Sequence, residues 1–181
     1  MPIELEYKYI LSEDPDYENR LKKFLIENKF VYNVRHIEQH YLSGGGRIRS
    51  SRSNNEDIAT NYFCYKEPLK KGDGNIEFDM IISSDDFYLC VKNAEVSLIK
   101  NRYEIFSDNH KWEIDIFLHN EKSYFNLMEV EVKNKDDDPS TISLPSIVRN
   151  NIILKTLDDD RFTSKKLACR KHAKKLYKQL V

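Results

Sequence analysis

The sequence predicts an α+β protein in which eight antiparallel strands close into a β-barrel, with a charged lumen and with helices packed outside. The first observation behind this prediction is that charged residues recur at every second position, with an apolar residue between most of them. A strand places alternate side chains on opposite faces, so each such stretch is a strand with one charged and one apolar face. The charged positions are Glu4, Glu6 and Lys8; Arg47 and Arg49; Glu77 and Asp79; Lys100 and Arg102; Glu113 and Asp115; Glu129 and Glu131.

The second observation is that most of these stretches carry charges of a single sign, so that cations and anions lie on separate strands. Two surfaces can hold this much charge, the outside of a sheet or the water-filled interior of a closed barrel. The outside of a sheet usually mixes its charges with Ser and Thr in no fixed order. Strands that each carry charges of one sign need something between them that neutralises the charge. The interior of a closed barrel has room for it, so this pattern favours the barrel.

The elements follow in order along the chain. After the first strand, Asp14-Pro15-Asp16 predicts a helix that runs to about Asn28 and buries Tyr17, Leu21, Phe24 and Leu25. The remaining strands are expected at about 31–42, 47–52, 59–67, 75–82, 95–106, 111–118 and 124–133. Ser43 to Gly46 is interpreted as a hairpin turn, because no Gly-Lys-Ser/Thr and no helix follow it as in a phosphate loop.

Three further helices are predicted. Ser84-Asp85-Asp86 caps a short helix that ends near Asn93. Asp136 to Pro139 ends the sheet, and two helices follow, one near 144–151 and one from about Thr163 to Val181. The basic residues of the last helix are interpreted as a solvated face beside an ordinary buried stripe.

The composition sets limits on the class of protein. The chain of 181 residues is predicted to form one domain, 1–181, because this length supports one core. Its net charge of -1 argues against a duplex nucleic-acid partner. No membrane partner is expected, because the N-terminus is charged and no apolar window reaches the length of a span, and a cytoplasmic location is expected. The 3 cysteines are widely spaced and indicate neither a disulfide framework nor a zinc site.

A lumen that holds both signs of charge suits a polyanion bound together with a divalent cation. Arg and Lys grip phosphate oxygens, and Arg can do so with two hydrogen bonds. Carboxylates hold Mg²⁺ through oxygen ligands.

These residues resemble the CYTH domain and the triphosphate tunnel metalloenzymes built on it. Glu4-Leu5-Glu6-Tyr7-Lys8 matches the ExExK signature, and seven further elements follow in the family's order over nearly the whole chain. They are Gln39 and Tyr41-Leu42 before Arg47 and Arg49; Tyr65-Lys66; Glu77 and Asp79; Lys100-x-Arg102-Tyr103; Trp112-Glu113-x-Asp115-x-Phe117; Glu129-Val130-Glu131; and Asp160-Arg161-Phe162 before Leu167-Ala168.

The resemblance implies a role for each charged group. It implies that the cations bind the triphosphate and that Mg²⁺ or Mn²⁺ is the cofactor, with no turnover in its absence. It implies a catalytic set of Glu4, Glu6, Lys8, Glu113 and Asp115, of which Glu113 or Asp115 orients or deprotonates the attacking water. The implied substrate-binding residues are Lys8, Arg47, Arg49, Lys66, Lys100, Arg102 and Arg161, and the implied metal ligands are Glu4, Glu6, Glu129 and Glu131. Glu77 and Asp79 are predicted to support the site, and the alternative for these two and for Glu113 is structural pairing with neighbouring Arg and Lys.

The sequence departs from the family pattern at Asn75, where an Arg is common, and at Ser164, where an Asn is common. The resemblance is nearest to the small bacterial triphosphatases, so we expect hydrolysis of tripolyphosphate or of a nucleoside or organic triphosphate to the diphosphate and orthophosphate. A class IV adenylyl cyclase is the alternative hypothesis, and RNA 5′-triphosphate hydrolysis ranks below it. A further hypothesis is that the protein is not an enzyme but a non-catalytic module that binds polyphosphate. The expected partner is a small-molecule triphosphate, and a homodimer is left open.

Overall fold

The structure is a computed structural model and describes residues 3–69, 75–107, 110–132, 146–157 and 159–181. The side chains of residues 3–5, 68 and 107 lie outside this description, and so therefore does the predicted side-chain role of Glu4. The predicted turns at 70–74 and 108–109, the predicted end of the sheet at 136–139 and the start of the helix predicted at 144–151 also lie outside the described residues.

A mostly antiparallel sheet with several helices is confirmed. Its strands are β1 Ile3–Leu11, β2 Val31–Leu42, β3 Gly46–Ser53, β4 Thr60–Pro68, β5 Asn75–Ile82, β6 Ala94–Ser107, β7 His110–His119, β8 Lys122–Val132 and β9 Ile152–Leu157. They are hydrogen-bonded in the order β5-β4-β3-β2-β6-β7-β8-β1-β9. The predicted count of eight is wrong, because Ile152–Leu157 adds a ninth strand. Every residue of β9 is only half-buried, so it lacks the alternation that marked the other strands.

Both edges of β1 are used. One edge pairs with β8, and the other is shared by two strands. β9 pairs with it from Tyr7 to Leu11, and β5 pairs with it at Ile3↔Ile76 and Glu4↔Asn75. Within the described residues the contact between β1 and β5 covers these two positions, so a barrel closed by a continuous ladder of hydrogen bonds is not confirmed.

The helices are α1 Tyr17–Glu27, α2 Ser84–Val91, α3 Ser146–Arg149, α4 Ser164–Leu167 and α5 Arg170–Leu180, with a 3-10 turn at Asp160–Phe162. The helix predicted for α1 is confirmed and buries Tyr17, Leu21 and Leu25, whereas Phe24 is only half-buried. The cap of α2 is Ser83 rather than Ser84. The prediction of a single C-terminal helix is wrong. The chain leaves helical geometry at Cys169, whose backbone is extended (φ -79, ψ 98). The helix predicted at 144–151 is also too long, since α3 ends at Arg149 and β9 follows. No described helix is both long enough and apolar enough to cross a bilayer.

Two apolar cores lie on opposite faces of the sheet. α1 packs on the outer face, where Leu21 and Leu25 join Trp112 and Ile114 in one buried cluster. The second cluster lies on the same face as the alternating charges, and in it α4 and α5 pack against the strand residues Ile10, Tyr41, Leu98, Phe117, Phe125 and Leu127. The prediction that the helices pack outside is therefore wrong for α4 and α5. These two helices cover the end of the charged face where its side chains become apolar.

Candidate functional site

The charged face of the sheet surrounds a cavity of about 1500 Å³, to which all nine strands contribute side chains. Among the described residues, ten cationic and nine anionic side chains line this cavity. Sequence reasoning named thirteen of them: Glu6, Lys8, Arg47, Arg49, Lys66, Glu77, Asp79, Lys100, Arg102, Glu113, Glu129, Glu131 and Arg161. The alternation of charged residues along the strands therefore identified side chains that line the same cavity.

Lys8 lies between two carboxylates in the wall of the cavity. Its ammonium group donates hydrogen bonds to Glu6 (2.6 Å) and to Glu129 (2.5 Å). Burial lowers the pKa of Lys8, but the combined charges of Glu129 and Glu6 outweigh this and hold the pKa well above its usual value. Lys66 extends the network, since its ammonium group donates to the second oxygen of Glu6 at 3.2 Å. The side chain of Lys8 is thus a fixed positive charge at neutral pH.

Asp115 lies beneath this wall rather than in it. It accepts hydrogen bonds from Lys100 (2.5 Å) and from Arg102 (2.6 and 2.7 Å), and its side chain is fully buried. Burial raises the pKa of Asp115, but Arg102 and Lys100 lower it further than burial raises it. A buried carboxylate held by two cations is a poor proton acceptor, so its predicted contact with the attacking water does not fit its position. Asp115 instead orients Lys100 and Arg102.

Glu113 does line the cavity, as predicted. It accepts hydrogen bonds from Arg102 and from Lys111, the latter at 2.6 Å. It pairs across the sheet with Glu129, which also accepts from Arg102 at 3.3 Å. Burial raises the pKa of Glu129, yet Lys8, Arg102 and Lys100 together hold it far below its usual range. Glu129 is therefore a fixed negative charge at neutral pH.

Glu131 differs from the other carboxylates of the cavity. It is the cross-strand neighbour of Glu6 on β1, and no ion pair or hydrogen bond to its side chain is found within the described part of the chain. Its pKa is raised, first by burial and then by the negative charges of Glu113 and Glu6. A cation placed here would relieve that repulsion.

The family resemblance implies a divalent metal, and the donor chemistry of this wall fits one. Glu6, Glu129 and Glu131 offer carboxylate oxygens, the ligand type that Mg²⁺ and Mn²⁺ prefer. Among the described residues, no three metal-ligating side chains form a preformed cluster. The side chain of Glu4, the fourth predicted ligand, lies outside the description.

Arg47 and Arg49 occupy the opposite wall. Each reaches across β4 to a carboxylate of β5, Arg47 to Glu77 and Arg49 to Asp79 at 2.6 Å. The Nε atoms of both arginines are buried and have no hydrogen-bond partner among the described residues. Their strand neighbour Cys64 is fully buried, and burial raises the pKa of its thiol to about 11. The two arginines thus keep hydrogen-bonding capacity inside the cavity.

Arg161 stands at the cavity mouth on the 3-10 turn and is more exposed than the other cations. Its guanidinium donates to both carboxylate oxygens of Asp159, the shortest of these bonds being 2.6 Å from Nη2. The two departures from the family pattern, Asn75 and Ser164, also line the cavity. Ser164 lies at the start of α4, where its hydroxyl meets Tyr41.

Sequence reasoning missed six charged residues of the cavity. They are Arg35, Glu104, Lys111, Asp159, Asp160 and Lys165. A signal existed for three of them. Glu104 continues the alternation of Lys100 and Arg102, and Lys111 continues that of Glu113 and Asp115. Arg35 continues the alternation of Gln39 and Tyr41 on β2. The residues of the C-terminal turn carried no such signal, because only the folded chain brings that turn to the mouth.

No family model matches the sequence, and no curated protein sequence matches it. Solved structures do match the fold. The PH1819 protein from Pyrococcus horikoshii OT3 aligns with a TM-score of 0.61 at 19% identity, covering 93% of this chain and 99% of that one. This likeness shows that the two proteins share their fold over nearly their full lengths.

Two more distant matches carry descriptions of activity. HpAC1 from Hippeastrum, described as a proposed adenylyl cyclase with a dominant triphosphatase activity, aligns with a TM-score of 0.46 at 13% identity, covering 77% of this chain and 82% of that one. The RNA triphosphatase domain of a mimivirus mRNA capping enzyme aligns with a TM-score of 0.42 at 13% identity, covering 77% and 84%. Both alignments have TM-scores below 0.5, and the closer likeness to bacterial triphosphatases stays a prediction.

Proposed function

We propose that this protein is a metal-dependent triphosphatase of the CYTH type, which hydrolyses tripolyphosphate or a nucleoside or organic triphosphate to the diphosphate and orthophosphate. The observation that carries this proposal is the unsatisfied pair of Nε atoms on Arg47 and Arg49. Buried donors without a partner are costly, so they mark a place that a ligand completes. Both atoms belong to cations in a cavity, which points to an anion with several oxygens.

The charge balance of the cavity supports a divalent cofactor. Ten cationic side chains face nine anionic ones, so the described lining is close to neutral. A triphosphate carries several negative charges, and a nearly neutral lining cannot compensate them alone. Mg²⁺ or Mn²⁺ bound by Glu6, Glu129 and Glu131 would add the missing positive charge. When bound, the metal would also make a water molecule more acidic and hence more nucleophilic.

The side chains have separate tasks under this proposal. Arg47, Arg49 and Lys66 on one wall and Lys8 and Arg102 on the other hold the phosphate oxygens between them. Phosphoryl transfer needs the nucleophile and the leaving group in line and the charge of the phosphate neutralised, so fixed cations on two walls suit it. Glu113 lines the cavity and can accept a hydrogen bond from the attacking water, whereas Asp115 keeps Arg102 in position from below.

The proposal includes a closed barrel. The pairing of Ile3 with Ile76 and of Glu4 with Asn75 joins the two ends of the eight-strand order, and all of these strands line one cavity. Closure would surround the substrate on every side and exclude bulk water, which strengthens the interactions with its charge.

The test is to measure release of orthophosphate, diphosphate and cyclic nucleotide from tripolyphosphate, ATP, GTP and thiamine triphosphate, with Mg²⁺, Mn²⁺ or EDTA. We expect metal-dependent orthophosphate release that Glu131→Gln loses. The variant should keep its fold and melt no lower than wild type, because the change removes a carboxylate with a raised pKa that its neighbours repel. Glu38→Gln is the matched control, since Glu38 pairs with His40 outside the cavity and its loss should leave turnover unchanged.

Three outcomes would contradict the proposal. Release of diphosphate with a cyclic nucleotide would make the protein a cyclase. Tight triphosphate binding without any turnover would make it a binding module. Turnover that persists undiminished in EDTA would remove the metal from the mechanism.

A further inference from the structure

The two arginines of β3 and the two carboxylates of β5 form a unit that we call the clasp, defined as Arg47, Arg49, Glu77 and Asp79. The strand β4 lies between them, with Cys64 opposite both Arg47 and Asp79 in the sheet register. A cysteine side chain is small, so both guanidinium groups can pass over β4 and reach β5. All four charged side chains of the clasp line the cavity.

The carboxylates hold the one nitrogen of each guanidinium that matters most for anion binding. Both bonds of the clasp use Nη2, of Arg47 to Glu77 and of Arg49 to Asp79. A guanidinium offers two edges with paired donors, Nε with Nη2 and Nη1 with Nη2. Nη2 contributes one N–H to each edge, so a phosphate that binds on the edge taken by the carboxylate must displace it, and the negative charge of the carboxylate opposes a phosphate on the other edge.

Each carboxylate, once displaced from its arginine, can be neutralised by another cation or solvated by water. Glu77 already lies 3.5 Å from the ammonium group of Lys66, a second cation that can keep it neutralised. The side chain of Asp79 is one-third exposed, so water can solvate it after the exchange. Opening the clasp therefore leaves no buried charge unpaired, and the exchange is reversible.

We propose that Glu77 and Asp79 act as internal competitors for Arg47 and Arg49, weakening the grip on phosphate so that the product leaves. This inference rests on the proposed function, because it concerns release from the same cavity. While a triphosphate is bound, its oxygens replace the carboxylates on both arginines. After cleavage, each fragment makes fewer contacts and carries less charge, so the carboxylates regain Nη2 and the fragments dissociate.

The alternative is that the two carboxylates simply hold the arginines in place for substrate. The two roles predict changes of opposite sign. Removing a positioning group weakens substrate binding, because the arginines lose their orientation. Removing a competitor strengthens the binding of every phosphate ligand, product included, and so lowers KM while product release becomes slower and limits kcat.

The experiment uses Glu77→Gln and Asp79→Asn, which keep the shape of each side chain and remove its charge. Calorimetry gives the Kd of tripolyphosphate and of diphosphate in EDTA and again with Mg²⁺, and steady-state kinetics gives KM and kcat separately. We expect both Kd values to fall by about tenfold or more in each variant, the change that corresponds to 1.4 kcal/mol. KM should fall with them, kcat should fall, and inhibition by diphosphate should become stronger.

Controls separate this inference from the proposed function. Glu38→Gln removes a carboxylate outside the cavity and should change no Kd, and melting curves should show that all variants are folded. If wild type hydrolyses triphosphate but the clasp variants bind phosphates equally or more weakly, the competitor role is wrong and the proposed function stands. If neither wild type nor the variants bind any phosphate, both are wrong.

Discussion

Lys8 serves the fold and the site at once. It is almost fully buried, and its two hydrogen bonds join Glu6 on its own strand to Glu129 on β8. Without the ammonium group, the carboxylates of Glu6 and Glu129 on neighbouring strands would lose the cation that lies between them. A buried cation of this kind costs stability when it is removed, because its partners stay charged.

We expect Lys8→Ala to lower kcat/KM by roughly 100-fold or more, the effect of losing a charged donor at a reacting phosphate. The free energy of unfolding should fall by about 1–3 kcal/mol, because two charged hydrogen bonds are lost at the wall of a polar cavity. Turnover and urea unfolding measured on the same preparation check both values. Lys174→Ala, an exposed lysine of α5, is the control and should change neither; an inactive Lys174→Ala would mean that the site is misplaced.

Most of the charged cavity residues could be predicted from the sequence, but the depth at which each lies could not. Alternation assigns a side chain to a face, so Arg47, Lys66 and Glu129 were found from their spacing. It does not say how far along the cavity a side chain lies or which charge it meets. Asp115 shares its face with Glu113, yet two cations hold it beneath the wall, and only the packed sheet shows this.

At the scale of elements, the C-terminal segment shows how packing overrides local preference. Residues 163–181 contain good helix formers and no Gly or Pro, so a single helix is the natural prediction. The chain instead turns at Cys169, which lets α4 and α5 place Leu167 and Leu176 in the same apolar cluster. The free energy gained by burying both side chains outweighs the free energy lost by interrupting the helix. Local sequence carries no sign of this turn. The β-branched residues of β9 do favour a strand, but without the alternation of charge that marked the other strands.

Phe162 anchors the turn that carries Arg161. Its ring is fully buried and stacks on Phe125, with ring centroids 6.5 Å apart. We expect Phe162→Ala to lower the free energy of unfolding by about 3–5 kcal/mol, because it leaves a cavity in the core. KM for triphosphate should rise, since Arg161 loses its support at the cavity mouth.

Phe106→Ala is the matched control for this change, because Phe106 is half-exposed at the end of β6. Its loss should cost less than about 1 kcal/mol and leave KM unchanged. Equal destabilisation by the two variants in urea unfolding would show that Phe162 is no anchor.

The whole molecule is stabilised by ion pairs whose strength depends on pH. Asp115 and Glu129 both have pKa values below those of ordinary carboxyl groups, because Arg102, Lys100 and Lys8 outweigh the effect of burial. A lowered pKa in the folded state contributes stability above the pKa of the unfolded chain and loses it as the pH falls. The stability that Asp115 and Glu129 contribute in this way is fully present above about pH 4.5 and declines as the pH falls below that value.

We therefore expect the midpoint of urea unfolding to fall steeply between about pH 4.5 and pH 3. Asp115→Asn should be less stable than wild type by about 3–5 kcal/mol at pH 7, because it leaves two buried cations without their carboxylate. The gap should narrow as the pH falls, since Asp115 then becomes protonated in the unfolded chain, which lowers the stability of wild type and not that of the variant. A gap that stays constant from pH 7 to pH 3 would show that the charge of Asp115 does not stabilise the fold.

The pairing of β1 has a consequence for how the chain reaches its final state. The partners of this early strand are β8 on one edge and both β5 and β9 on the other, so several of its contacts span more than 110 residues, as between Lys8 and Glu129. Such distant pairings are slow to form, because a long loop must close before any contact compensates its entropy. During synthesis we expect β1 to stay unpaired with β8 and β9 while the hairpins from β2 onward assemble. We therefore expect the pairing of β1 with β8 and β9 to be the last step in completing the cavity.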